Sequence, residues 1–341
     1  MNDFIVDAAR LHRIVSETLI GYGASPSDAD RQAMIFLEGD LRDQHSHGVR
    51  RLPVLVERMR GGLAASDSGP ELTWIADAVL RVDGHRSFGP VAAFAAIDAI
   101  LERAESTGIA IATVSNSNHL GMLAPYVEHM AAAGQIGLAL TTSEALVHPW
   151  GGTRAMVGTN PIGIAVPTIS EPIVLDMSTA EVSMGKILEH ALRGSPIPLG
   201  WAIDRAGEPT TDPDEAARGA IAPFGGAKGY ALGLALEAIV GVLTRSAFGT
   251  AVKGTLDTDS LCTKGDIFLC VSIDRLGLRQ ELPALAAYLE EIRDSGVNPG
   301  AVTIPGDRAR ATRRERLAKG IPLHPELWAR VIQLHEEVIH E

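Results

Sequence analysis

The sequence predicts an α/β protein, and three observations carry that prediction. From residue 90 onward, short apolar runs alternate with longer Ala-rich ones, the order expected of strands packed under helices. Aromatic residues make up only 4% of the chain, against 35 glycines, so the core must be built from Ala, Val, Ile and Leu with backbones packed close together. The 341 residues, 46% hydrophobic and 21% charged, suffice for a large interior and exceed what one simple core needs.

The first part reads as helical. Residues 7–20 place Leu11, Ile14, Val15 and Leu19 at helical spacing. Pro26 suits the first turn of a helix reaching residue 42, and a third helix is expected over 49–59, stopped by Gly61-Gly62. Residues 72–82 read as a strand or hairpin, with Asp83-Gly84 as a turn. Then come a helix (90–107), a buried strand (109–114), a helix (123–133) and a strand (136–142). Two strands (163–167 and 173–177) precede a helix (180–192), and 196–223 is a Pro/Gly/Asp-rich connection. The remainder is a glycine-dotted helix (226–247), a strand (267–273), a helix (282–293), a strand (302–304), a very basic helix (307–319) and an amphipathic helix (325–337). Three parts are expected: a helical part over 1–85, a central α/β part over 86–306, and C-terminal helices over 307–341 that pack with the first.

A net charge of -12 argues against nucleic acid or an anionic membrane as partner. A small anionic substrate then needs a local cluster of Arg or Lys. Cys262 and Cys270 fit neither a zinc motif nor a disulfide framework. The N-terminus lacks a signal-peptide pattern, and the longest apolar run, 230–243, is interrupted by Glu237. A reducing cytoplasm is the expected compartment.

Five segments carry chemistry. In L-R-D-Q-H-S-H-G-V-R-R-L, Ser46, His47 and Gly48 supply a hydroxyl, an imidazole and a backbone that a ligand can approach. Arg50 and Arg51 beside them suit a carboxylate, which a planar guanidinium binds with two parallel hydrogen bonds. The plain alternative is a helix end with a solvated basic pair. S-N-S-N-H-L-G, ending a strand, offers His119 where α/β sheets bind ligands, or else a polar cap. The long loop from His148 to Gly163 displays Thr159 and Asn160. L-D-M-S-T-A-E-V-S-M-G-K brings Asp176, Met177 and Ser178 after a strand, with Lys186 facing an anion or merely a helix surface. P-F-G-G-A-K-G resembles a phosphate cradle without the Walker order, and no G-x-G-x-x-G follows a strand, so a Rossmann site is not expected. His45, His47, His119 and His148 show no metal-ligand spacing, and no metal is expected.

Together these segments resemble the type-2 malate/L-lactate dehydrogenase family, which also holds ureidoglycolate, sulfolactate and diketogulonate dehydrogenases and cyclic-imine reductases. The matching motifs are S-H-G-V-R-R-L, S-N-H-L-G, G-T-N-P-I-G, L-D-M-S-T, G-W-A-I-D with P-T-T-D-P, and G-G-A-K-G, in the family's order. The resemblance implies a non-Rossmann NAD(P)-binding fold, a homodimer, NAD or NADP as cofactor, and hydride transfer between a small 2-hydroxy acid and its 2-oxo acid. By resemblance His47 is the proton donor/acceptor, Ser46 its orienting partner, and Arg51 and Thr159 bind a carboxylate-bearing substrate. His119, Leu120, Gly121, Met122 and Leu123, with Asp176, Met177 and Ser178, would line the cofactor. So would Gly226, Ala227 and Lys228, and Gly306 and Arg308 of I-P-G-D-R-A-R. Some members assign the acid/base role to the histidine matching His119. Lys186 stands where the imine reductases carry an Asp in a residue relay, which favours an oxo acid over a cyclic imine. A cyclic-imine reductase of the same family is the alternative; a metal-dependent hydrolase or a non-catalytic nucleotide-binding paralogue are the more distant ones.

Overall fold

The computed structural model describes residues 3–65, 69–298 and 300–339. The chain starts with β1 (Phe4–Val6), α1 (Ala8–Gly21) and α2 (Pro26–Leu41). Asp7 and Ser25 cap the two helices by accepting backbone N–H bonds, and Pro26 occupies the first turn of α2. Two 3₁₀ turns, His45–His47 and Val49–Arg51, lead into α3 (Leu52–Arg60). The hairpin β2 (Glu71–Ala76) and β3 (Val79–Asp83) follows, then α4 (Gly89–Thr107), β4 (Ile109–Ser115), α5 (Ala124–Ala132) and β5 (Gln135–Thr141). After β6 (Ala145–Val147), β7 (Val157–Gly158), β8 (Ile162–Val166) and β9 (Ile173–Met177) comes α6 (Met184–Arg193). Next are β10 (Ala202–Ile203), β11 (Pro209–Thr210), α7 (Pro213–Arg218), β12 (Ala220–Ile221) and the long α8 (Ala227–Thr244). The chain closes with β13 (Asp266–Ser272), α9 (Leu282–Asp294), α10 (Asp307–Lys319), β14 (Ile321–Leu323) and α11 (Pro325–Ile339).

The central sheet has seven strands in the order β2-β3-β4-β13-β5-β8-β9. Only β3 and β4 pair in parallel; every other neighbour is antiparallel. This arrangement is not a doubly wound parallel sheet, in keeping with the missing Gly-rich fingerprint. β13 lies between β4 and β5, which explains its nearly unbroken apolar sequence. α4 and α5 pack on the sheet with Ile97, Ile100, Tyr126 and Val127 in one apolar cluster, and Leu236 and Val240 of α8 meet Leu140 and Ile267 in another. A third cluster joins Leu11, Ile14, Leu19 and Phe36 to Trp328, Val331 and Leu334 of α11. There β1 pairs antiparallel with β14, Phe4 opposite Leu323.

Several expectations are corrected. The hairpin reverses at residues 77–78, and the turn near Asp83-Gly84 instead leads out of β3 toward α4. No strand forms over 302–304: Ile304 N–H donates to the Asp307 carboxylate in an irregular segment that precedes α10. The supposed connection 196–223 holds β10, β11, α7 and β12, too short to leave a periodic signal. The helix expected from 180 starts only at Met184, where Ser183 caps it.

α8 departs most from expectation. Its 18 residues are long and apolar enough to cross a membrane by length and composition, although no such run was expected. Its polar contacts fit a helix of the fold instead: Glu237 is buried and accepts N–H bonds from Gly158 and Gly249 and a bond from the Asn160 amide. The helix is not buried on nearly all sides, since Leu232, Leu234, Ile239, Val242 and Leu243 are exposed.

Candidate active site

A cavity of about 570 Å³ lies between the helical part and the sheet. The first 3₁₀ turn carries Ser46 and His47 to its wall, and the second carries Arg50 and Arg51. The turn sits tightly on α2: a Cβ at Gly48 would overlap the Asp40 carboxylate, so only glycine fits. The carboxyl end of β4 delivers His119 to the same cavity through the loop to α5. The two imidazoles stack nearly parallel, centroids 5.5 Å apart and planes 8° apart.

Their environment sets their charge. Nδ1 of His119 accepts the Gly121 N–H at 3.0 Å, which leaves the proton of the neutral ring on Nε2. Nδ1 of His47 is buried with no hydrogen-bond partner among the described residues, so this ring meets the cavity by its other atoms. Burial, and then the Arg51 guanidinium, push His47 down to about 4. Burial also pushes His119 well below its ordinary value, helped by Arg51, His47 and Lys264. Both rings are therefore neutral at pH 7.

Arg51 is half-buried and is itself lowered to about 10, mainly by burial. It donates to the Thr255 carbonyl at 2.9 Å. Glu144 holds the same loop by accepting bonds from Thr255 N–H at 2.9 Å and Leu256 N–H at 2.8 Å. Among the described residues no carboxylate lies within ion-pair distance of Arg50, Arg51 or Arg308, and all three line the cavity. Thr159 faces it as well, its N–H donating to Ser143 Oγ at 2.8 Å and its hydroxyl 3.0 Å from the same oxygen.

The opposite wall is made by Leu120, Gly121, Met122, Asp176, Met177 and Ser178. Asp176 accepts N–H bonds from Leu123 and Ala124 at 2.8 Å, at the start of α5, and burial still pushes it up to about 6. Gly306 takes φ 100° at the start of α10, a conformation suited to glycine, and lines the cavity with Arg308. Arg310 does not face this cavity; it donates to Asp307 and to the Pro172 carbonyl.

Five of the candidates do not line this cavity. Lys186 is exposed on α6, although Gly185 beside it packs near Ser46 and lines the wall. Gly226, Ala227 and Lys228 sit at the start of α8, outside the lining. Leu123 is buried and contributes its backbone through Asp176.

The structure adds residues that were not singled out. Lys264 lines the cavity beside His119 and pairs with the fully buried Asp266 at 2.5 Å. Asp266 also accepts bonds from Thr141 Oγ1 at 2.6 Å and Ser117 Oγ at 3.1 Å. The available signal was a charge opening an otherwise apolar strand. Glu237, Glu144 and Asp40 are further supports, each a carboxylate that accepts backbone N–H bonds. Among the described residues no group of three or more His, Cys, Asp or Glu is placed to hold a metal.

A larger groove of about 940 Å³ lies beyond Arg42 and Glu128. Its arginines are engaged: Arg42 with Glu128, Arg313 with Glu38, Arg310 with Asp307 and Arg279 with Asp274. Neither His47 nor His119 faces it.

Comparison with known proteins agrees with this geometry. The model of a family described as malate/L-lactate dehydrogenase matches residues 6–332. A malate/(S)-sulfolactate dehydrogenase of Methanothermus fervidus is 34% identical over 98% of both chains. A delta(1)-pyrroline-2-carboxylate reductase of Burkholderia multivorans is 32% identical over 97% of both. A crystal structure of a dehydrogenase from Sinorhizobium meliloti superposes with a TM-score of 0.93 at 45% identity, covering 97% of this chain and 98% of that one. With four of the motifs meeting in one cavity and the match running almost end to end, the chain belongs to the malate/L-lactate dehydrogenase family.

Proposed function

We propose that the protein is an NAD(P)-dependent oxidoreductase that interconverts a small 2-hydroxy acid and its 2-oxo acid. The observation that carries this reading is the neutral His47 beside Arg51, a half-buried cation with no carboxylate at ion-pair distance among the described residues. Arg51 takes the substrate carboxylate, and desolvation strengthens that pairing. His47 accepts the hydroxyl proton in oxidation and returns a proton to the oxo oxygen in reduction, with Ser46 as its orienting partner. His119 presents an Nε2–H as a hydrogen-bond donor, and Thr159 adds a hydroxyl held by Ser143.

The cavity fits a dinucleotide. Its volume is that of an ordinary cofactor site, the starts of α5 and α10 meet it, and Gly306 leaves room for close approach. His119, Leu120, Gly121, Met122, Asp176, Met177, Ser178, Gly306 and Arg308 would hold the cofactor, Arg308 toward a phosphate. The nicotinamide, when bound, exchanges a hydride with the carbon bearing the oxygen. The part over 1–85, whose hairpin β2–β3 joins the central sheet, packs with 307–341 and carries proton transfer and the substrate carboxylate; the part over 86–306 carries most of the cofactor wall.

Reduction of a cyclic imine is the second reading, supported by the Burkholderia relative. By the resemblance, Lys186 stands where the imine reductases carry an Asp, which favours the oxo acid. The apolar face of α8, which a second copy would cover, supports a homodimer. The two unpaired thiols, Cys262 and Cys270, suit a reducing compartment such as the cytoplasm. The test is cofactor oxidation over a panel of 2-oxo acids and cyclic imines, run with NADH and with NADPH. Turnover of oxo acids above imines is expected; turnover of imines alone would replace the first reading by the second.

A further inference from the structure

The turn that presents Ser46 and His47 is fastened from behind, by residues outside the roles above. Asp40 is fully buried near the end of α2. One carboxylate oxygen accepts the Val49 N–H at 2.7 Å, and the other lies 2.9 Å from Nδ1 of His45. Its two partners therefore bracket Ser46, His47 and Gly48. His45 keeps 40% of its side chain exposed. Its Nε2 lies 3.2 Å from the Asp43 carboxylate and 3.4 Å from the Arg316 guanidinium of α10. Arg316 in turn donates to the Asp40 carbonyl and to Asp43. Each nitrogen of His45 thus faces a carboxylate, and one of them also faces a cation.

We propose that Asp40 and His45 form a clamp that positions His47, and that the clamp is complete only when the His45 imidazole carries both protons. The proposal rests on the reading of His47 as the proton donor/acceptor. Asp40 and His45 are positioning residues, since they act through the turn. A neutral imidazole donates from one nitrogen, whereas an imidazolium donates from both, to Asp40 and to Asp43. Bonds from a charged donor to a carboxylate are also shorter and stronger. The hydrogen bond to Asp40 raises His45 above its ordinary value; burial and Arg316 oppose the shift, and the charges of Asp40 and Asp43 add to it. With a raised value, the clamp is complete below it and slackens as pH rises through it. Oxidation of a hydroxy acid needs His47 neutral, so its own limb rises with pH. The clamp then adds a falling limb at higher pH that belongs to a residue outside the cavity.

The test uses the full-length protein, with His45→Gln and Asp40→Asn. In His45→Gln, kcat for oxidation should lose the falling limb while the cofactor dissociation constant stays at the wild-type value. Asp40→Asn leaves one donor facing an amide N–H, and kcat should fall by about 10²-fold, the scale of a misplaced catalytic group. Because Asp40→Asn can fail to fold, the deciding measurement needs no variant and no substrate: exchange protection of the Val49 amide in the wild-type protein, followed beside the His45 ring resonances. Protection should decline through the same midpoint as His45 titrates. A falling limb that persists in His45→Gln, or Val49 protection indifferent to the His45 titration, overturns the clamp. Absence of turnover with every acid would overturn the functional reading, and the exchange measurement would still decide the clamp.

Discussion

At the scale of the residue, the site works by removing water from imidazoles and guanidinium groups. His47 is held neutral down to about pH 4 by burial and by Arg51. The kcat/KM for oxidation reports the free enzyme, so its acid limb should lie near 4, well below that of a solvated histidine; a limb at about 6.5 would contradict the burial argument. Replacing His47 by Ala should lower the chemical rate by about 10²–10⁴ with cofactor affinity intact. If His119→Ala abolishes turnover and His47→Ala does not, the roles are exchanged. Arg51→Ala, against Arg50→Ala as control, should reduce kcat/KM at least about tenfold for every acid, since stripping one partner from a desolvated charge pair costs about 2–5 kcal/mol. Equal, small losses at both positions would leave the pair a solvated surface. Ser46, His47, Arg51 and His119 line one cavity, and they could be singled out in the sequence because their residue types suit proton transfer and carboxylate binding. Lys264, Asp40 and Glu237 were not, because a charged residue becomes informative only once its burial and partners are known. Lys186 and the Gly226–Lys228 stretch illustrate the converse, a suggestive pattern whose side chains end outside the cavity.

At the scale of the element, the strongly periodic or wholly apolar segments were the readable ones. α1, α4, β4 and β9 lie within a residue or two of where hydrophobic spacing and Gly/Pro punctuation put them. β1, β14 and β10–β12 escaped notice because two or three residues cannot display a period; β1 and β14 also pair across almost the whole sequence, whereas β10–β12 pair locally. The irregular stretch at 302–304 read as a strand because Val302 and Ile304 are apolar, whereas its backbone is claimed by Asp307 and the turn into α10. The turn between α2 and α3 offers a test at this scale. Gly48→Ala forces a methyl group against the buried Asp40 carboxylate, and overpacking of this kind costs about 1–3 kcal/mol. Calorimetry should record a lower Tm, and activity should fall further than the stability loss accounts for, because the displaced segment is the one that carries His47. Unchanged Tm and activity would mean that the turn relaxes freely.

At the scale of the whole molecule, the exposed face of α8 supports the proposed dimer. Val242 is 68% exposed and has Leu232, Leu234, Ile239 and Leu243 on the same helix for company, an apolar surface that a soluble monomer rarely leaves bare. Sedimentation should find a dimer, and Val242→Asp should shift it toward monomer without loss of helical circular dichroism. Since Glu237 on the buried side of that helix holds Asn160 beside Thr159, activity should decline on dilution in step with dissociation. A monomer fully active at nanomolar concentration would end the idea. The pairing of β1 with β14 has a consequence of another kind. Leu11, Ile14 and Phe36 share one apolar cluster with Trp328, Val331 and Leu334, some three hundred residues later. On the ribosome, the helices that support the 45–51 turn cannot bury that surface until α11 has been made. Nascent chains must therefore wait with this sticky face uncovered, a long-range closure that slows folding and invites chaperone capture. A chain that stops short of α11 would leave that face uncovered.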